Sequence, residues 1–277
     1  MIRATAVELL MLRKRAAAWV LLAIWTAAAA FFAYVLPYAI EPDRGETASR
    51  PLADLLPQQL VGTLSGGFPF FGGAVALILA VLIFGGEYGS GTWKTLFTQR
   101  PSRLSVFAAK LLALGVALIP FVLTVFLVGA VASFLVARSE GEAVTWPSAG
   151  LLLRGFLSDW LILAVWAAFG VLLAVLTRGT ALAMGIGILY ALVIEGLISA
   201  FANQVSVLEP AAKFFLRANA YSLVRGVDAS VEVAADSGPA AFSGPYVDSL
   251  QAALVLAAYI AGFVLVAAML LRRRDVT

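Results

Sequence analysis

The chain has no cysteine and no histidine among its 277 residues. Without cysteine there is no disulfide and no thiol nucleophile. Without either residue there is no Cys/His zinc centre and no imidazole general base. Charge is scarce as well: Asp, Glu, Lys and Arg make up 13%, against about a quarter in an ordinary soluble domain. The net charge is +3, but the basic residues sit beside apolar runs and form no aromatic-interleaved patch, so nucleic acid is not an expected partner. No internal repeat is visible, and no low-complexity segment beyond alanine richness.

What the chain does have is apolar length. It is 62% hydrophobic with a mean hydropathy of +0.98, more apolar surface than a protein of this size can bury, so lipid is the expected solvent. A bilayer core about 30 Å thick takes roughly 20 apolar helical residues. Six segments qualify: Ala16–Tyr38, Phe68–Gly86, Leu104–Val136, Leu151–Leu176, Thr180–Phe201 and Leu250–Leu271. The third exceeds one straight span and contains Pro120, which predicts a kink or an extension beyond the membrane. The expected fold is an all-α membrane protein, residues 1–277 forming a single transmembrane domain.

Lys and Arg set the orientation. One set of span ends carries Arg3, Arg13, Lys14, Arg15, Lys94, Arg100, Arg103, Lys110, Arg178 and Arg272–Arg274, with Glu8, Glu87 and Asp275 as its acids. The other holds nearly all remaining acids, from Glu41 and Asp43 to Asp248. The first set is therefore cytoplasmic, and both termini are expected inside. The leader before the first span is long and the apolar run is full span length, so that span, in a sequence opening at Met1, is expected to be retained and not cleaved as a signal peptide.

The outer segments are more than loops. Leu52–Leu64 is apolar-rich and interrupted by Pro57. Within residues 202–249, Val207–Gly226 has apolar residues at helical spacing, with Pro210 suited to a first turn. One or two amphipathic helices are expected there, lying on or dipping into the outer membrane face.

The stretch FGGEYGSGTWKTLFTQRPSR, Phe84 to Arg103, invites a nucleotide-loop reading and fails it. Gly86 and Gly91 have the P-loop spacing, but Thr92 and Trp93 stand where Lys and Ser/Thr are needed, and a membrane span precedes them instead of a strand. A dinucleotide loop fails because Lys94 occupies the third glycine position. Locally, Gly85, Gly86, Gly89 and Gly91 are expected to break the second span, Thr92 to cap a short helix, and Ser102 to cap the third span. Trp93, Leu96 and Phe97 share one helical face. So short a helix is marginal alone and needs a surface to dock on, either the membrane with Lys94, Arg100 and Arg103 at headgroups or a groove on a soluble partner.

Glu87 after a span, then Gly91–Thr92, an apolar helix with Leu96, then Pro101–Ser102–Arg103 and Lys110 early in the next span resembles the permeases of the ABC type-2 (type V fold) exporter family. The six-span layout, the leader and the long outer segment extend the resemblance over the whole chain. Phe97-Thr98-Gln99 departs from it, standing where such permeases often carry a leucine-rich run. The resemblance implies that residues 87–103 form a coupling helix seated in a cleft of a separate ABC ATPase subunit, with Glu87, Tyr88, Gly91, Thr92, Trp93, Leu96, Phe97, Pro101 and Arg103 at the contact. It implies that residues 1–15 are a connecting helix at the same surface. It further implies a permease homodimer with two ATPase subunits in a bacterial plasma membrane. This chain would be no enzyme and would bind no cofactor; ATP and magnesium would sit on the partner.

Two carboxylates fall inside spans, where an acid at mid-bilayer costs about 2.5–3.5 kcal/mol. Glu195 precedes Phe201 by about 9 Å of helix rise, and Asp159 lies about 7–8 Å past Arg154, which sets both near the outer leaflet. Either they contact cargo or carry a proton in the export route, or they are partly hydrated or paired with Arg154 or an outer arginine such as Arg217. An ATP-independent carrier or a membrane-complex assembly factor is the alternative to an ATP-driven permease. A carrier would more often show paired repeats and spans broken at mid-membrane, and neither is visible.

Overall fold

The computed structural model describes residues 2–40, 52–89, 102–195, 213–227 and 246–273. Among these, helix is nearly everywhere and no strand occurs. A leader helix, α1 (Ile2–Lys14), meets α2 (Ala16–Ala39) at Arg15, whose extended backbone turns the chain. Two 3-10 turns and the short α3 (Leu60–Ser65) then lead into α4 (Phe68–Gly89). The rest comprises α5 (Arg103–Glu140), α6 (Ala149–Thr177), α7 (Ala181–Leu189, continued by a π-helical stretch at Tyr190–Ile194), α8 (Leu216–Val227) and α9 (Ser249–Arg273).

The protein is an all-α membrane protein. Five of these helices, α2, α4, α5, α6 and α9, are long and apolar enough to cross a bilayer. The span expected at Thr180–Phe201 is described as far as Glu195. Chain direction alternates from helix to helix, as side-chain contacts at both ends show. At one end Lys110 of α5 reaches Glu8 of α1 and Glu87 of α4. At the other, the Tyr38 hydroxyl donates to Glu140 Oε1 (2.9 Å), and Ser222 of α8 accepts from the Val247 backbone N–H ahead of α9. The first end carries most of the Arg and Lys, the distribution from which it is expected to face the cytosol.

The centre of the bundle is α4 against α6. Their apolar windows are 72% and 61% buried, against 17% in α2 and in α9, so the first and last spans form the rim. Close packing here depends on absent side chains. A Cβ on Gly73 would stand 2.5 Å from the Trp166 ring, and one on Gly187 would stand 2.7 Å from Leu77. Small residues let helices approach where lipid supplies no hydrophobic drive. Gly185, by contrast, meets nothing within 4 Å.

Two expectations change. The glycines at 85 and 86 do not break the second span: α4 runs through them to Gly89, because Gly85 packs under the Gly179 carbonyl and Glu87 is tied down in the next turn. The third span, expected to kink at Pro120 or to extend beyond the membrane, is one 38-residue helix about 57 Å long by rise, longer than a bilayer core and capped as expected by Ser102 through the Ser105 backbone N–H. And α8, expected to be amphipathic, is buried on every side from Leu216 to Val224, packed on α9, α6 and α3.

Candidate functional site: the buried charge cluster at the cytosolic end

Lys110 is 1% exposed, deep in an apolar surrounding, where an unpaired ammonium is costly. Its Nζ donates to Glu8 Oε2 at 2.7 Å and to Glu87 Oε1 at 3.2 Å. Arg15 completes the set, its guanidinium reaching Glu87 Oε1 at 2.8 Å and the Leu82 carbonyl at 3.2 Å. Two cations and two carboxylates thus balance. Each comes from a different piece of chain: Glu8 from α1, Arg15 from the α1–α2 turn, Glu87 from the last turn of α4, and Lys110 from the first turns of α5. The cluster joins the leader, the second span and the third span into one body on both sides of the 90–101 stretch.

Sequence reasoning selected Glu87 and Lys110 but treated Glu8 and Arg15 only as leader charges. The signal was present, because Glu8 is the single acid in an otherwise basic leader. Glu87, expected to help orient a partner contact, points inward at 4% exposure. Tyr88 is half-buried against the core, and Arg103 opens α5, also half-buried. Gly91, Thr92, Trp93, Leu96, Phe97 and Pro101 lie outside the described residues.

The two membrane carboxylates are both fully enclosed, and neither uses an arginine side chain as its main partner. Glu195 ends α7 and caps the start of α8. Its Oε1 accepts from the Leu216 backbone N–H (2.6 Å) and the Tyr190 hydroxyl (3.0 Å), and its Oε2 accepts from the Arg217 N–H (3.0 Å). A carboxylate there satisfies orphan amides and complements the helix dipole. Arg217 therefore meets Glu195 through backbone, while its guanidinium lies over Phe70 and Tyr221 at 5.1 and 5.7 Å. Asp159 Oδ2 accepts from Ser65 Oγ at 2.9 Å, and Oδ1 has no partner among the described residues. Arg154, the expected neighbour, is exposed on α6.

The tryptophans divide as anchors and packing. Trp25 and Trp160 donate to the Phe121 and Gly115 carbonyls of α5. Trp19 stands exposed at the leader turn, and Trp166 fills the α4–α6 contact.

The charge cluster binds the leader helix to two adjacent spans, and the family comparison covers that part of the chain. Residues 5–194 match the model of the ABC-2 family transporter protein. The chain belongs to the ABC-2 transporter family. No curated protein matches it. All four members of the charge cluster, Asp159 and the α4–α6 core fall within the matched region; α8 and α9 lie beyond it. Membrane subunits of ABC-2 transporters generally pair with an ATPase subunit, so this ABC-2 chain is a multi-pass transporter permease.

Proposed function

We propose that this permease exports its cargo using ATP hydrolysed by a separate subunit docked on the loop between α4 and α5. The observation carrying the proposal is the Glu8–Arg15–Glu87–Lys110 cluster. A loop held at both ends by one buried ion network behaves as a handle: a push on residues 90–101 is shared at once by α1, α4 and α5. Neither charge nor helix can yield separately without stranding a buried ion, which costs several kcal/mol.

On this reading Trp93, Leu96 and Phe97 form the knob that enters the ATPase cleft, with Thr92, Pro101 and Arg103 shaping its flanks. The chain itself hydrolyses nothing and binds no cofactor; ATP and magnesium belong to the partner. Two permease copies and two ATPase subunits form the working unit in a bacterial plasma membrane. Glu195 holds α8 to α7 at the outer end, and Asp159 is the remaining candidate for a polar contact on the route.

Co-purification of the full chain with the ABC ATPase of an adjacent reading frame tests the coupling. Trp93→Ala with Phe97→Ala should abolish the association while leaving the permease folded and in the membrane. Retained association and transport in that double variant would overturn the assignment.

A further inference from the structure

The helices α1, α2 and α5, with Leu79 of α4, line an apolar groove of about 270 Å³. Its walls include Leu9, Ala18, Leu22, Leu79 and Val116, and Arg13 stands on its rim. Arg13 and Lys14 end α1 and are both exposed. The nearest acid on α1, Glu8, is committed to Lys110, and among the described residues neither cation has a carboxylate partner. Trp19 fixes the mouth, its indole Nε1 donating to the Arg13 carbonyl at 2.8 Å while more than half of the residue stays exposed.

An apolar groove with Arg13 on its rim and Lys14 next to it in the chain, at the depth where tryptophan marks the membrane interface, fits one chemistry: an acyl chain joined to an anionic headgroup. We propose that the α1–α2–α5 groove is a site for an anionic phospholipid of the cytosolic leaflet. The acyl chain lies along Leu22, Leu79 and Val116, and the phosphate sits at Arg13 and Lys14. Charge complementarity selects this occupant. A neutral lipid would leave both cations uncompensated, and a peptide would leave backbone polar groups unsatisfied in the groove. Arg13 and Lys14 belong to no part of the charge cluster. A lipid bound there would brace the leader against α2 and α5.

The test uses the purified full chain in detergent, titrated with phosphatidylglycerol or with phosphatidylcholine of the same acyl chains, with retained lipid counted by native mass spectrometry. Wild type should retain phosphatidylglycerol preferentially. Arg13→Gln with Lys14→Gln should weaken that retention by about fivefold per charge removed, bringing it down to the phosphatidylcholine level. Ala18→Phe, which fills the groove and leaves the charges in place, should reduce retention of both lipids; it also keeps the proposal testable if the charge variant fails to fold. Arg272→Gln with Arg273→Gln removes two exposed cations elsewhere at the same end and should change nothing. Equal loss in that control would mean a non-specific lipid annulus and overturn the site. So would unchanged retention in Ala18→Phe, or full displacement by soluble glycerol phosphate, which has no acyl chain.

Discussion

At the scale of single residues, the buried charges carry the most information, because lipid and core alike penalise an unmatched ion. Lys110 has two carboxylates within 3.2 Å. Lys110→Met should strand Glu8 and Glu87 together and destabilise by about 3–5 kcal/mol, visible as a large fall in the thermal unfolding midpoint of the detergent-solubilised protein. Glu195→Ala removes acceptors from two buried amides and should cost about 1–3 kcal/mol, whereas Glu195→Gln keeps one oxygen and should cost less; the same unfolding assay ranks them. Asp159 behaves differently. Among the described residues its carboxyl has one donor and one unpartnered oxygen, so Asp159→Asn should be neutral or stabilising. A fall in transport with unchanged or raised stability would mark Asp159 as a residue kept for function against its structural cost. Unchanged transport would assign it to the fold alone. Both carboxylates were visible in sequence as oddities within apolar runs. Their partners were not, because Ser65, Tyr190 and the α8 amides are ordinary residues until the chain folds them into reach.

At the scale of elements, two interactions hold the leader. Leu12 is buried in the core, and Glu8 and Arg15 enter the charge cluster; the opposite face, with Val7, Leu10 and Met11, stays exposed. Replacing Glu8 and Arg15 together with Gln keeps the charge of the pair neutral but removes the links from α1 to α4 and α5. Backbone amides of α1 should then exchange hydrogen faster while those of α6 stay protected, as expected for an independently opening unit. Equal protection of α1 in wild type and variant would show that apolar packing alone holds it. The glycines separate in the same way. Gly73→Ala drives a methyl into Trp166 and should destabilise by about 1–3 kcal/mol. Gly185→Ala meets open space and should be neutral or stabilising by up to about 1 kcal/mol, again read by thermal unfolding. Which of the two faces a neighbouring helix depends on helix rotation, and the pattern of an all-apolar span does not reveal rotation.

At the scale of the whole molecule, the charge cluster joins the leader to two spans at one end, while α3 and α8 pack among the spans at the other. This arrangement distinguishes binding of a partner from response to it. The Glu8→Gln, Arg15→Gln variant leaves the loop at residues 90–101 untouched, so it should still bind the ATPase subunit. Transport per ATP hydrolysed should fall by about tenfold, within the 1–3 kcal/mol typical of coupling between sites. Reconstituted vesicles with parallel transport and ATPase assays measure both. Loss of binding together with transport would mean that the cluster shapes the docking surface and does not transmit from it.

The sequence by itself determined the solvent and the class of protein. Apolar runs of span length, with Lys and Arg gathered at alternate ends, leave only a helical membrane protein, since a backbone in lipid must satisfy its own hydrogen bonds. The residue order at Gly86–Lys94 departs from the nucleotide-loop spacing, a matter of local sequence, and the family setting marked Glu87 and Lys110. Only the tertiary structure decided that Glu87 faces inward, that Glu8 and Arg15 share its charge, that the second span runs straight through Gly85 and Gly86, and that α8 is buried. Each of these depends on a partner more than twenty residues away in the chain or on the close approach of a neighbouring helix. Spacing along one helix records which residues share its face; it does not record what that face meets.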